Sequence, residues 1–241
     1  MMLKMVLENG WEVPLDVNDR VSKRIMSLIP ITSRLIRWKE EVYFETELEL
    51  ELKELTGHVK RGDFAYWPPG KALCLFYGIS QPYTPLIIIG EAIGTLSFLR
   101  DVEEGSIVKV DIYRDYENVK EVCNYLRKLG YKVASRSDDE GFISVSLNMC
   151  YEEIRLGLDI FVEEYGIYVE SDELASYNRT LPEKETLHKI RDIIGKHAKK
   201  VRLDLNERSM LCLSACCSNL KELPELLNKF KECIKALNSY I

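Results

Sequence analysis

Gly62-Asp63-Phe64-Ala65-Tyr66-Trp67-Pro68-Pro69-Gly70-Lys71-Ala72-Leu73-Cys74-Leu75-Phe76-Tyr77-Gly78 decides how this chain is read. Asp63 to Trp67 reads as a short strand, and Ala72 to Tyr77 as a second, nearly all-apolar one. Between them Trp67-Pro68-Pro69-Gly70 makes a stiff corner. Proline after Trp67 pushes that residue into an extended conformation, and both prolines have φ fixed near −65°. Gly70 is expected to supply the positive φ of a tight turn. The product is a rigid aromatic bracket between two strands.

The flanking sequence extends the same pattern. Val6 to Val13 reads as a hairpin, with Asn9-Gly10 as the two positive-φ residues of a primed turn. Val21, Ile25 and Leu28 share one face of a helix that Asn18 or Asp16 caps and Pro30 stops. Residues 32–38 and 42–52 read as paired strands. In the second, Val42, Phe44, Leu48, Leu50 and Leu52 face one side and Glu45, Glu47, Glu49 and Glu51 the other, the period of two of a half-buried strand. Further strands are expected near 86–92 and 106–113, with one helical turn at 95–101. Roughly eight short strands with regular turns favour a closed barrel, which has no open edge.

Near Arg114-Asp115-Tyr116 the pattern changes. Val119, Val122, Cys123, Leu126 and Leu129 form an apolar helical stripe that Gly130 ends, and a hairpin follows from Tyr131 to Asn148. Ile154, Leu158, Phe161, Val162 and Tyr165 predict a second helix, and Gly166 to Val169 a further strand. A similar order recurs. Thr180 and Glu183 make a capping box before Leu187, Ile190 and Ile194, and Lys200 to Ala215 forms a hairpin. The last helix carries Leu223, Leu226, Leu227, Phe230, Cys233, Ile234 and Leu237. The expectation is an all-β closed barrel over 1–114 and, over 115–241, a two-layer α+β domain of duplicated helix–strand–strand–helix units.

Composition limits function. The 241 residues are 46% hydrophobic and 30% charged, with a net charge of −6 at pH 7. That suits a globular protein with a substantial core, and the mixed charges offer no basic stripe for nucleic acid. No signal-peptide pattern and no apolar run of about 18 residues is present, so a cytoplasmic address without a membrane partner is expected. Seven cysteines without a Cys-x-x-Cys pair read as reduced thiols rather than metal ligands. No cofactor is implied.

At Trp38-Lys39-Glu40-Glu41-Val42-Tyr43-Phe44 and at the Gly62–Gly78 stretch the chain resembles a family of small prokaryotic cyclophilin-like barrels of no established activity. The resemblance covers about residues 1–113 and implies a cyclophilin-like barrel. Cyclophilins themselves carry a Phe-His-Arg segment and a Gln-Gly-Gly-Asp segment, and their arginine donates to the prolyl nitrogen to lower a barrier of about 18–20 kcal/mol. Neither segment occurs here. Arg34 and Arg37 lie in the corresponding region without the accompanying histidine or glutamine.

Trp38, Tyr43, Tyr66, Trp67, Phe76 and Tyr77 are the candidates for a ligand groove, with Tyr66 and Trp67 favoured by their place beside the rigid corner. Barrel filling is the competing role for each. Arg34 and Arg37 alternate along a strand, so at most one can point into a pocket. The Glu45–Glu51 stripe reads as a charged strand face that blocks edge pairing. Cys212, Cys216 and Cys217 read as core thiols, and His58, His188 and His197 as scattered surface residues. Three functional readings follow. The first is a non-enzymatic binding or scaffold module whose groove takes a peptide or small ligand. The second is a prolyl isomerase with a degenerate site. The third is an assembly protein forming a homo-oligomer through its C-terminal half.

Overall fold

A computed structural model describes residues 1–50, 54–177 and 180–238, and leaves the side chains of 181–183 and 186 undescribed. The N-terminal sheet is built from β1 (Met2–Leu7), β2 (Glu12–Val17), β3 (Ile31–Arg34), β4 (Ile36–Trp38), β5 (Glu41–Glu45), β6 (Asp63–Trp67), β7 (Ala72–Phe76), β8 (Ile87–Ala92) and β9 (Ile107–Ile112). Helix α1 (Asp19–Met26) follows β2. The strand order is β3-β9-β1-β2-β8-β6-β7-β5-β4, and each pairing is antiparallel. Only Leu35 separates β3 from β4. One segment therefore lies along β9 at its start and along β5 at its end, and the sheet is a nearly closed barrel.

Alternation sorts the side chains. Leu3, Met5, Leu15, Phe44, Phe64 and Leu73 fill the interior, each at most 2% exposed, and Val21 and Ile25 of α1 join them. Burying each such side chain is worth about 1.5–3 kcal/mol.

Three local expectations need correction. Strand β5 ends at Glu45 and residues 46–50 form no strand. Leu48 dives into the barrel core while Glu49 turns out to Lys71, so Glu45, Glu47 and Glu49 are not a continuous strand face; Glu51 and Leu52 lie outside the described residues. The corner at Pro68–Gly70 is a 3₁₀ turn, and the left-handed residue is Lys71, at φ 44°, not Gly70. Glycine is needed at 70 for space, since a Cβ there would collide with the Trp67 ring. In the first hairpin only Gly10 has positive φ. Four residues link the strands, so Asn9 need not adopt the left-handed state of a primed turn.

The C-terminal half follows a 3₁₀ turn at Glu117–Val119. It contains α2 (Lys120–Lys128), β10 (Val133–Ser137), β11 (Ile143–Tyr151), β12 (Ile154–Glu163), β13 (Gly166–Ser171), β14 (Ala175–Ser176), α3 (Leu181–His197), β15 (Arg202–Leu205), β16 (Met210–Cys217) and α4 (Leu223–Asn238). The sheet order is β10-β11-β12-β13-β16-β14, with β15 also on β16. Gly130, at φ 89°, ends α2 as expected. The helix expected at 154–165 is instead β12, a central strand. Its Leu156, Leu158 and Ile160 face the helices, and Arg155, Gly157 and Asp159 face away toward the barrel. The 3–4 spacing of its apolar residues misleads because the period of two is equally present and β11 and β13 both pair with it. The first unit therefore runs helix–strand–strand–strand. The capping box at Thr180 cannot be followed, because the Glu183 side chain is outside the described residues.

All seven stripe residues of α4 are at most 5% exposed, and all but Leu237 belong to the core of the C-terminal half. Among the described residues no helix is long and apolar enough to cross a membrane.

Candidate functional site

The outer wall of the barrel carries a recess of about 240 Å³ lined by Trp38, Glu41, Tyr43, Trp67, Thr84 and Leu86, with Pro82 and Tyr83 at its edge. Strand geometry places these groups. Val42 and Phe44 point into the barrel, so Glu41 and Tyr43 point out. Trp38 on β4 is directly opposite Glu41, and Cys74 on β7 is opposite Tyr43. On β6, Phe64 and Tyr66 point in, which turns Trp67 out. The Pro-Pro corner fixes where that indole goes. It folds back over Gly70, donates its Nε1–H to Thr84 Oγ1 at 2.7 Å, and meets the Tyr43 ring edge-on, with centroids 6.2 Å apart.

A small second core of Val59, Ala65, Cys74, Phe76 and Leu86 underlies the recess. Two loops cover it. Thr56 and Leu86 exchange backbone hydrogen bonds at 2.8 and 2.9 Å. Gln81 donates to the Val59 carbonyl and accepts from the Val59 N–H, each at 3.1 Å. Glu40 accepts from the Ile79 N–H at 2.8 Å.

Glu41 is 6% exposed. No salt bridge reaches it among the described residues, and its titratable neighbours are the Cys74 thiol and the Tyr43 phenol. Burial raises its carboxyl above the usual carboxylate range, and the weak thiol hydrogen bond offsets part of that rise. Cys74 and Tyr43 are pushed upward in turn, first by burial and then by the charge of Glu41.

Of the six aromatic candidates, Trp38, Tyr43 and Trp67 line the recess. Phe76, fully buried, lies in the core beneath it. Tyr66 is in the barrel core with its hydroxyl donating to the Leu48 carbonyl at 2.6 Å. Tyr77 is also in that core and donates to the Lys39 carbonyl at 2.8 Å. Arg34 donates to the Gly105 carbonyl at 2.8 Å and Arg37 to the Arg100 carbonyl; both are exposed and neither lines the recess. Of the three expected core thiols only Cys212 is buried; it and the exposed Cys216 are on the sheet face away from the helices, and the partly buried Cys217 packs toward them. Among the described residues no three His, Cys, Asp or Glu groups come together as metal ligands would. Glu41 and Thr84 were not singled out from the sequence. For Glu41 a signal exists, since it shares the period-two face of Tyr43.

A larger cleft of about 1110 Å³ opens between the barrel, at Trp11 and Phe98, and the helix-free face of the second sheet, at Asp159, Phe161, Tyr168 and Glu170. Its floor is the seam between the halves. Asp172, 1% exposed, accepts from Leu96 N–H at 2.7 Å, Gly157 N–H at 3.1 Å, Arg61 at 3.0 Å and Arg155 at 3.1 Å. Burial opposes its charge, but Arg61, Arg155 and the two N–H groups outweigh that and hold the carboxyl below its usual range. Arg136, 1% exposed, pairs with Asp159, donates to the Thr95 carbonyl at 2.8 Å, and lies 5.0 Å from both the Trp11 and Phe98 rings. Glu173 at the rim binds Arg100 and Arg208. The charges of this floor are thus paired within the chain, whereas Glu41 is not; the carboxyl of Glu170 on the sheet wall above it is also raised by burial, and accepts from the Tyr168 phenol at 2.8 Å.

Residues 1–111 match the protein family described as Cyclophilin-like. Among solved structures, the solution structure of a hypothetical protein from Archaeoglobus fulgidus is 31% identical; the match covers 46% of this chain and 93% of that one, at a TM-score of 0.41. No curated protein matches the chain.

Proposed function

The barrel of this chain belongs to the cyclophilin-like family of unknown function, and from that premise we propose that the protein is a non-enzymatic binding module whose outer-wall groove takes a small ligand or a peptide side chain. The observation that carries this reading is the convergence of Trp38, Tyr43 and Trp67 on one recess whose shape is fixed by the Pro68-Pro69 corner and the Gln81 pin. Pre-set aromatic surface binds at low entropic cost. We also propose that the chain divides near residue 114 into two domains, and that the shared helix–hairpin openings of α2-β10-β11 and α3-β15-β16 are copies of one unit.

The isomerase reading needs a guanidinium beside a bound prolyl nitrogen. Arg34 and Arg37 instead satisfy backbone carbonyls, which disfavours it. The assembly reading has no free apolar stripe on α4 to use. The three indole N–H signals of a heteronuclear NMR spectrum separate the sites. Titrated with a fragment library, Trp38 and Trp67 should shift while Trp11 stays still. A shift of Trp11 alone would move binding to the cleft, and no shift in any would defeat the reading.

A further inference from the structure

Resting on that reading of the groove, we propose that its ligand presents an organic ammonium group, with Glu41 as the counter-charge and Trp38, Tyr43, Trp67 and Tyr83 as the rings around it. A buried carboxylate needs a cation or several strong donors. Glu41 is 6% exposed and finds neither among the described residues. Its open side is the recess. A neutral apolar ligand would seal the carboxylate away from water without compensation, and an anion would repel it.

The surrounding chemistry selects the kind of cation. Calcium or magnesium takes six or more oxygen ligands, and this wall offers one carboxylate, the Thr84 hydroxyl that already accepts from Trp67, the phenol hydroxyls of Tyr43 and Tyr83, and aromatic faces. Ring faces attract ammonium groups within about 6 Å of their centroids. The molecule already uses the first of these rings in that way: Lys39 Nζ sits 4.3 Å from the Trp38 ring centroid. At about 240 Å³ the recess lies below the range of drug-sized sites, roughly 300–1,000 Å³, and suits a single alkylammonium head group.

The Lys39 ammonium lies over the Trp38 ring opposite Glu41, and Glu45 and Glu104 act on the Tyr43 phenol; the groups facing Glu41 itself are the Cys74 thiol from β7 and that phenol from its own strand. Burial keeps both protonated through neutral pH, so Glu41 is the facing group that changes charge below it. A proton and the ligand's cation then compete for one carboxylate, and affinity should fall as pH drops.

The test is calorimetric titration of the full chain with three probes: choline, the uncharged 3,3-dimethylbutanol in which carbon replaces the nitrogen, and lysine acetylated on its α-nitrogen and capped as the methylamide, a peptide-borne ammonium. Choline or the lysine probe should bind at least about tenfold more tightly than dimethylbutanol, and Glu41→Gln should erase that preference. The tighter of the two charged probes identifies the source as a free amine or a peptide. If Glu41→Gln does not fold, the unaltered chain suffices: an affinity for the charged probes that does not fall as pH drops from about 8 to below the ordinary glutamate pKa of about 4.3 overturns the proposal. Equal binding of dimethylbutanol also overturns it and leaves the groove standing as an apolar site. If none of the three binds and no fragment moves Trp38 or Trp67, the groove reading falls as well.

Discussion

Asp172 and Glu41 are both buried carboxylates, and they have opposite surroundings. Asp172 is met by two guanidinium groups and two backbone N–H groups drawn from both halves of the chain. Glu41 is met by a thiol and aromatic rings. The first arrangement lowers the carboxyl's proton affinity and the second raises it. The difference teaches that burial alone does not mark a functional acid. A carboxylate whose donors all come from its own chain is architecture, and one left open on a recess is where the proposed ligand would meet the protein.

The largest effect expected from testing that contrast is at the seam. Asp172→Ala leaves Arg61 and Arg155 facing each other without a counter-charge and should cost about 3–5 kcal/mol in urea-induced unfolding. A smaller loss is expected from Gly157→Ala. A Cβ at 157 would collide with the Gly94 carbonyl oxygen, where the two halves touch backbone to backbone. Overpacking of this kind costs about 1–3 kcal/mol in the same measurement. The smallest effect has the reverse sign. Glu41→Gln should raise stability at neutral pH, by less than about 1 kcal/mol, since an unpaired buried charge opposes folding.

The pH dependence separates the two acids further. Glu41 holds its proton more tightly folded than unfolded. Its stabilising contribution is complete below the unfolded pKa of about 4.3 and is lost as pH rises through the raised folded value. The advantage of Glu41→Gln should therefore widen from about pH 4 toward neutrality. Asp172 behaves in the opposite way. Its contribution is present above the unfolded pKa of about 3.9 and is lost as pH falls through the depressed folded value. Equal pH profiles for the two variants would erase the distinction drawn between them.

The barrel was legible because its signals are local. Alternation in Val42-Tyr43-Phe44 and the Pro-Pro corner act within a few residues. The recess was half legible for the same reason: Trp38, Tyr43 and Trp67 follow from strand alternation, but the inward turn of Tyr66 follows from that rule as well, and proximity to the corner outweighed it in the sequence reading. Residues 154–165 failed because an apolar spacing of three and four can coexist with one of two. What decided between them was pairing with β11 and β13. The seam was not legible at all. Arg61 and Asp172 are 111 positions apart, and each looks like an ordinary surface charge in its own neighbourhood.

Gln81 has a consequence for how this groove can vary. With one side-chain amide it offers Val59 the donor and acceptor that an adjoining strand would have offered. At Val59 the rim is thus stitched by one side chain rather than by a ladder. Replacing that one amide would release Val59 from the loop that carries Tyr83 and Thr84, and leave the opening held only where Thr56 meets Leu86 and Ile79 meets Glu40.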